Sequence, residues 1–275
     1  MITRTFILLV FAGFLSQFSF AQEIQWEKVF EIKIADVQQL DIDNTDKIYL
    51  TDSKGNITVY NHLGDSINSY SPTYQGSLSQ FEVSRTVNIF TFSKDLQRIE
   101  ILDRFLAPRF SGRLNFPEFG NIKAASLGNN LKVWLYDETD FSILQYDYQR
   151  NTVLQKQTLN LILDEEHLNI TEITEYKNTL FINTQSKGIF LLDNQGNYLG
   201  DLPFKTSRKL SFNGSYLLTT QKGELILTHF ISGTPTRYKA PCNASIVSTG
   251  NKIIVFYDGD SIHGYKTPSS LSFRQ

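Results

Sequence analysis

The stretch 41-DIDNTDKIYLTDSKGNITVYN-61 decides the reading of this chain. It places four aspartates, Asp41, Asp43, Asp46 and Asp52, within a dozen residues. A calcium loop needs oxygen ligands at alternate positions one, three and five, glycine at six and glutamate at twelve. Counted from Asp41, Asp43 fits position three, but Thr45 stands at five, Asp46 at the glycine position and Asp52 at twelve. The alternative is a pair of β-hairpins with acidic turns. Leu40 and Ile42 alternate with Asp41 and Asp43 as strand residues do, and Asn44-Thr45-Asp46 is turn chemistry. The hairpin reading accounts for more of the residues.

Five weaker copies of this strand–turn–strand unit follow. They begin at Asn88, Lys132, Thr179, Ser215 and Lys252, and their first apolar positions are Ile89, Val133, Leu180, Tyr216 and Ile253. With Ile48 in the first unit, the spacing runs from 36 to 47 residues. A short strand precedes each unit (QQLDID, SQFEVS, IKAASL, ITEITEY, RKLSFN, ASIVS), and another follows each of the first five. Four strands per unit of about 40 residues is the signature of a propeller blade. The last unit stops near Lys266, whereas IQWEKVFEIKI (Ile24 to Ile34) lacks a partner in its own unit. Pairing the two closes the ring and removes an open sheet edge. The expectation is therefore an all-β, six-bladed propeller closed by an N-terminal strand, with seven blades as the alternative count.

The segment LDIDNTDKIYLTDSKGNITVYNHLGD resembles a blade of the NHL-type six-bladed propellers and of their YWTD- and TolB-like relatives. LFINTQSKGIFLLDNQGNYLGD resembles it in part. The resemblance implies architecture alone, because these families share no single activity.

Bulk composition bounds the rest. Met1 to Ala21 carries one cation, Arg4, an apolar run from Phe6 to Leu15 and small residues Ser19 and Ala21 before Gln22. This is the pattern of a secretory signal peptide. The expected division is a signal peptide over 1–21, a propeller over 22–267 and a tail over 268–275, in a chain exported to the periplasm or beyond. The composition has a bacterial style, and no transmembrane segment is expected in the mature chain. The single cysteine, Cys242, excludes an intramolecular disulfide and reads as a small half-buried hydrophobe. With 26 basic and 28 acidic residues, nucleic acid is not an expected partner.

Chemistry has three candidate homes. Propellers resembling gluconolactonases hold a divalent metal in the central channel on Glu, Asn and Asp side chains, and the resemblance implies Asp43, Glu82, Glu172 and Asn213 as candidate ligands here. Asp41 and Glu175 also come from inner strands, whereas blade 3 offers Lys123 and blade 6 only Ser245. A metal-dependent hydrolase of the lactonase type follows from that reading, and small-molecule or sugar capture in the channel is a further alternative. Nucleophilic motifs are lacking: no Gly-x-Ser-x-Gly elbow and no His-Glu-x-x-His pair accompany His62, His167, His229 and His263.

The third home is the loop face. Loops leaving each outer strand share a face with the turns between second and third strands. They gather Tyr74, Phe116 and Phe119 with Arg113, Lys187, Arg208 and Lys222, aromatic anchors amid cations, a composition favoured where proteins meet. Equally, these aromatics could pack beneath their own loops. A protein-binding scaffold without a cofactor is the leading expectation. The longest connection, NLILDEEHLN (Asn160 to Asn169), is expected to form a short helix over a channel mouth, as lid or plug.

Overall fold

Strands with apolar residues on both faces need packed neighbours on both sides, and those with one polar face need solvent. Both kinds alternate along this chain in a fixed order. Ile48–Thr51 and Ile253–Tyr257 are buried throughout, whereas Ser66–Tyr70 is almost wholly exposed. The gradient from buried to exposed strands recurs in each unit and sets its orientation in a ring.

A computed structural model describes residues 24–83, 88–114, 119–129, 132–163, 168–271 and 273. These form six antiparallel sheets of four strands, the blades of a propeller. Blade 1 comprises Gln39–Ile42, Ile48–Thr51, Ile57–Tyr60 and Ser66–Tyr70, from the channel outwards. Blade 2 takes Gln80–Glu82, Asn88–Ser93, Arg98–Asp103 and Pro108–Arg113, and blade 3 takes Ile122–Leu127, Lys132–Asp137, Ser142–Asp147 and Thr152–Thr158. Blade 4 follows with Ile170–Tyr176, Thr179–Thr184, Gly188–Asp193 and Tyr198–Leu202. Blade 5 has Ser211–Asn213, Tyr216–Gln221, Glu224–His229 and Pro235–Lys239. Blade 6 supplies only Ile246–Thr249, Ile253–Tyr257 and Ser261–Lys266 from its own stretch of chain. Its outer strand is Lys28–Lys33, running antiparallel from Lys28 opposite Tyr265 to Lys33 opposite Ser261. The expected closure is the observed one.

The core is six wedges, one between each pair of neighbouring blades. Phe90, Phe92, Val133 and Leu135 fill the wedge between blades 2 and 3, and Phe181, Ile189, Leu217 and Phe230 that between 4 and 5. Leu40, Ile48, Val255 and Ile262 fill the closing wedge between 6 and 1. The tail returns to the structure, since Leu271 and Phe273 join the wedge between blades 5 and 6 beside Ile24. Burying a side chain of this size contributes roughly 1.5–3 kcal/mol, so each wedge is a substantial local core.

The acidic turns are explained by one recurring device. A side-chain oxygen accepts the backbone N–H groups two and four residues on, which fixes a tight reversal. Asp43 does this with Thr45 and Lys47 at 2.8 and 3.0 Å. Asp52 binds Lys54 and Asn56 in the same way at the other end of blade 1, and Asp103 and Asp193 repeat it in third-to-fourth-strand turns, at the same end as Asp43.

The connection after blade 3 corrects an expectation. Leu159–Leu163 is a single helical turn whose Leu159 and Leu163 sink into the wedge between blades 3 and 4. Its two buried leucines are therefore blade packing, and residues 164–167 of the connection lie outside the described residues. Apolar side chains at Leu159 and Leu163 find more surface to bury between two blades than over a polar opening.

Ring closure depends on a close approach. Phe30 lies over Gly264, where an added Cβ would sit 2.1 Å from its ring. Gly264→Val is expected to displace Phe30 and cost about 1–3 kcal/mol. The readout is a lowered denaturation midpoint in urea with an unchanged slope.

Candidate functional site

Inner strands meet at the axis with their backbones closer to one another than anywhere else. Each bears N–H groups that face a neighbouring blade, and a buried donor without an acceptor costs about 1–3 kcal/mol. The protein answers with one polar side chain per blade. Asp41 Oδ2 of blade 1 accepts the N–H of Val83 from blade 2 at 3.0 Å. Glu82 Oε2 of blade 2 accepts that of Leu127 in blade 3 at 3.2 Å. Ser126 Oγ of blade 3 accepts that of Glu175 in blade 4 at 2.8 Å. Glu172 Oε2 of blade 4 accepts that of Leu210, entering blade 5, at 3.0 Å. Asn213 of blade 5 donates its amide to the Gly250 carbonyl of blade 6 at 3.3 Å. Ser248 of blade 6 returns its hydroxyl to Asp41 Oδ1 at 3.2 Å, and the circuit is complete.

Inside this circuit, polar groups span the axis. The Gln80 amide donates to Glu82 Oε1 at 2.9 Å and to the Thr174 hydroxyl at 3.2 Å, and Thr174 in turn donates to Glu172 Oε1 at 3.1 Å. Lys209 crosses from blade 5 to the opposite blade 2, where its ammonium donates to the Phe81 carbonyl at 2.6 Å. It also stands 3.8 Å from Asp41 Oδ2. The cavity between these side chains measures about 30 Å3, room for a water or two. Sites that hold small organic molecules run to roughly 300–1,000 Å3.

The four candidate metal ligands divide accordingly. Glu82 and Glu172 share the axial network. Asn213 is turned to Gly250, and Asp43 lies in its turn, bonded to Thr45, Lys47 and the Tyr49 hydroxyl. Glu175 faces blade 3 and takes the Trp134 indole N–H at 2.7 Å. Lys123 belongs to the loop face, ion-paired with Glu138, and Ser245 donates to the Tyr257 carbonyl. In their blades the axial positions fall to Ser126 and Ser248, which sequence reasoning missed, as it missed Lys209. Each serine sits between small or apolar inner-strand residues, the one signal that could have marked it.

Burial dominates the electrostatics here. It pushes the Glu172 carboxyl up to about 7, against the opposing pull of the Leu210 N–H and the Lys209 ammonium. At neutral pH this group is therefore poised between its two forms.

On the loop face, chain direction brings Tyr74, Arg113, Lys187, Arg208 and Lys222 to one end of the ring, and all five are exposed. They form two groups on opposite sides of it. Tyr74 and Arg113 border blades 1 and 2, and Lys187, Arg208 and Lys222 border blades 4 and 5. Phe119 corrects the expected set: it is 3% exposed and packs edge-on against Tyr146 at 5.2 Å, because the wedge between blades 2 and 3 offers it more contact than solvent does. Phe116 lies outside the described residues. Arg98, at the start of the third strand of blade 2, lays its guanidinium 3.9 Å from the Tyr74 ring centroid.

No family model and no curated protein matches this chain. Solved structures do, at the level of fold. The WD40 domain of Neurospora crassa Pan2 superposes with a TM-score of 0.59 at 10% identity, covering 91% of this chain and 98% of that one. A streptogramin B lyase gives 0.55 at 15% identity over 89% of this chain and 88% of its own. PorZ of Porphyromonas gingivalis, described as an essential bacterial surface component of the type-IX secretion system, gives 0.56 at 9% identity. That match covers 86% of this chain but 33% of PorZ. The chain is a β-propeller of six blades, related to these in architecture. Among the described residues, no helix is long and apolar enough to cross a membrane.

Two outcomes test the circuit. Ser126→Ala leaves the Glu175 N–H buried without its acceptor and is expected to cost about 1–3 kcal/mol, whereas Ser245→Ala, which removes only a hydroxyl donor, costs less than about 1 kcal/mol. Paired urea titrations compare them directly. For Glu172, a raised folded pKa means the folded chain holds a proton that the unfolded chain releases from its ordinary 4.5 upward. Its contribution is full below pH 4.5 and is lost as pH rises through about 7. At about 1.36 kcal/mol per unit the loss is on the order of 3 kcal/mol. Glu172→Gln keeps an acceptor for Leu210 and should flatten that part of the stability–pH curve.

Proposed function

We propose that this protein is an exported binding module that holds a protein partner on its loop face. The observation that carries the reading is the pair of Tyr74 and Arg98. Tyr74 is 56% exposed although its ring is already stacked beneath a guanidinium. Arg98 is held in turn by the Ser111 hydroxyl at 2.7 Å, and Arg113 lies directly opposite Arg98 in the register of blade 2. An aromatic ring fixed in advance loses little freedom on binding, and the guanidinium over it, with a second arginine opposite in the register, suits carboxylates on a partner. Tyr and Arg are the residues that most often dominate binding energy at protein interfaces.

The axis supports the same choice. Its carboxylates hold blades together, and its cavity of about 30 Å3 suits water better than a substrate. Export rests on the signal-peptide pattern of residues 1–21, and the use of a similar fold in a bacterial surface component of a secretion system agrees with it.

The test is affinity capture from native envelope and secreted fractions with the full chain as bait. Tyr74→Ala and Arg98→Glu are expected to lower recovery of the captured partner by at least tenfold, equivalent to about 1.4 kcal/mol. Equal recovery by both variants would place the interface elsewhere. Sequencing the secreted chain should find Gln22 at its N-terminus.

A further inference from the structure

Where blade 5 hands the chain to blade 6, three side chains of different chemistry converge. Cys242 stands in the connection 240–245, Asp258 in the turn after Ile253–Tyr257, and His263 on the next strand, Ser261–Lys266. A sulfur, a carboxylate oxygen and an imidazole nitrogen lie within 4.8 Å of one another, the one such group among the described residues. We propose that Cys242, Asp258 and His263 form a binding site for a borderline divalent metal ion, zinc foremost, at this seam of the loop face.

The donor set selects the class of ion. Thiolate, imidazole and carboxylate together suit zinc, whereas calcium and magnesium take oxygen ligands alone. The geometry is close to what zinc requires. Bonds of about 2.0–2.3 Å in a tetrahedron set ligand atoms roughly 3.3–3.8 Å apart. His263 Nε2 is 2.8 Å from Asp258 Oδ2, joined by a hydrogen bond whose proton occupies the place of the ion. This pair opens slightly and the sulfur moves inward by about an ångström to reach the zinc separations. Cys242 can make that move, because its connection belongs to no sheet.

A second observation points to the same site. His263 is 8% exposed, and its Nδ1 is buried without a hydrogen-bond partner. The Glu31 carboxylate, on the strand that closes the ring, faces that nitrogen at 3.8 Å and is itself paired with Lys28. A metal on Nε2 leaves the proton on Nδ1, pointing at Glu31. Metal-bound histidines are commonly oriented by such a carboxylate behind the ring. Asp258 is prepared too. Its Oδ1 accepts the N–H groups of Asp260 and Ser261 at 3.0 and 2.8 Å, which leaves Oδ2 for the ion.

Binding exchanges the thiol S–H for a sulfur–metal bond and releases that proton to solvent; the Nε2 proton shared with Asp258 is displaced as well, and the neutral imidazole carries its one proton on Nδ1. Asp258 is exposed, so the fourth position opens outward to water or to an external ligand.

Cobalt(II) and zinc(II), added to the reduced full-length chain, provide the test. One equivalent of cobalt should produce a thiolate charge-transfer band and intense tetrahedral d–d bands, both abolished by one equivalent of zinc. Cys242 is the only cysteine, so alkylation by iodoacetamide reports on it alone, and zinc should slow that reaction at least tenfold. Cys242→Ser should lose the charge-transfer band. Glu31→Gln should keep the band but weaken cobalt binding about 10–100-fold, the usual effect of losing a carboxylate behind a ligand histidine. The proposal is overturned if wild-type protein shows no charge-transfer band and zinc leaves the alkylation rate unchanged. Unaltered cobalt affinity in Asp258→Asn or His263→Gln would overturn the ligand set.

Discussion

The hydrogen bond from the Val83 N–H to the Asp41 carboxylate, and its five counterparts, are the contacts on which the ring depends. Six wedges of apolar side chains press the blades together, but such contacts are non-directional and would tolerate many blade angles. The axial circuit supplies direction. Each blade satisfies a group of the next, and Ser248 satisfies the carboxylate that started the series. Losing any of these contacts would leave a buried polar group without its cross-blade partner, at a cost of about 1–3 kcal/mol for a donor such as the Val83 N–H. The polar residues at the axis thus fix how neighbouring blades meet, which the apolar wedges only permit.

That division explains what was legible in the sequence. Strand alternation and acidic turns are local properties, so Ile48–Tyr60 and its copies declared themselves, and closure followed from counting strands. The axial residues are not local. Ser126 and Ser248 look like ordinary small polar residues until a neighbouring blade supplies Glu175 and Asp41, and the side chain of Lys209 acquires meaning only when Phe81 lies across the axis. Conversely, Asp43 and Asn213 looked like metal ligands by type, although Asp43 serves its own turn. Phe119 and Leu163 misled for one reason: an apolar residue in a connection reads as exposed unless the wedge below is known.

The same contrast separates the two ends of any functional account. Carboxylates at the axis are committed to structure, and Glu172 is held there at the cost of a raised pKa. Groups on the loop face carry fewer such commitments. Tyr74 and Arg98 are ordered by each other yet remain open to solvent, and Cys242, Asp258 and His263 meet at a junction of two blades.

The strand that completes blade 6 also fixes the order in which the chain can fold. Lys33 pairs with Ser261 and Lys28 with Tyr265, so among the described residues the first strand waits for the last. Contacts this distant in sequence fold slowly, because the loop between them must close first. Until they form, blade 6 and the N-terminal strand each carry an unpaired edge able to template association with another chain. A chain held unfolded until its C-terminus is released, or escorted until then, avoids that interval. A chain ending before Ser261 would leave the strand Lys28–Lys33 without its partner.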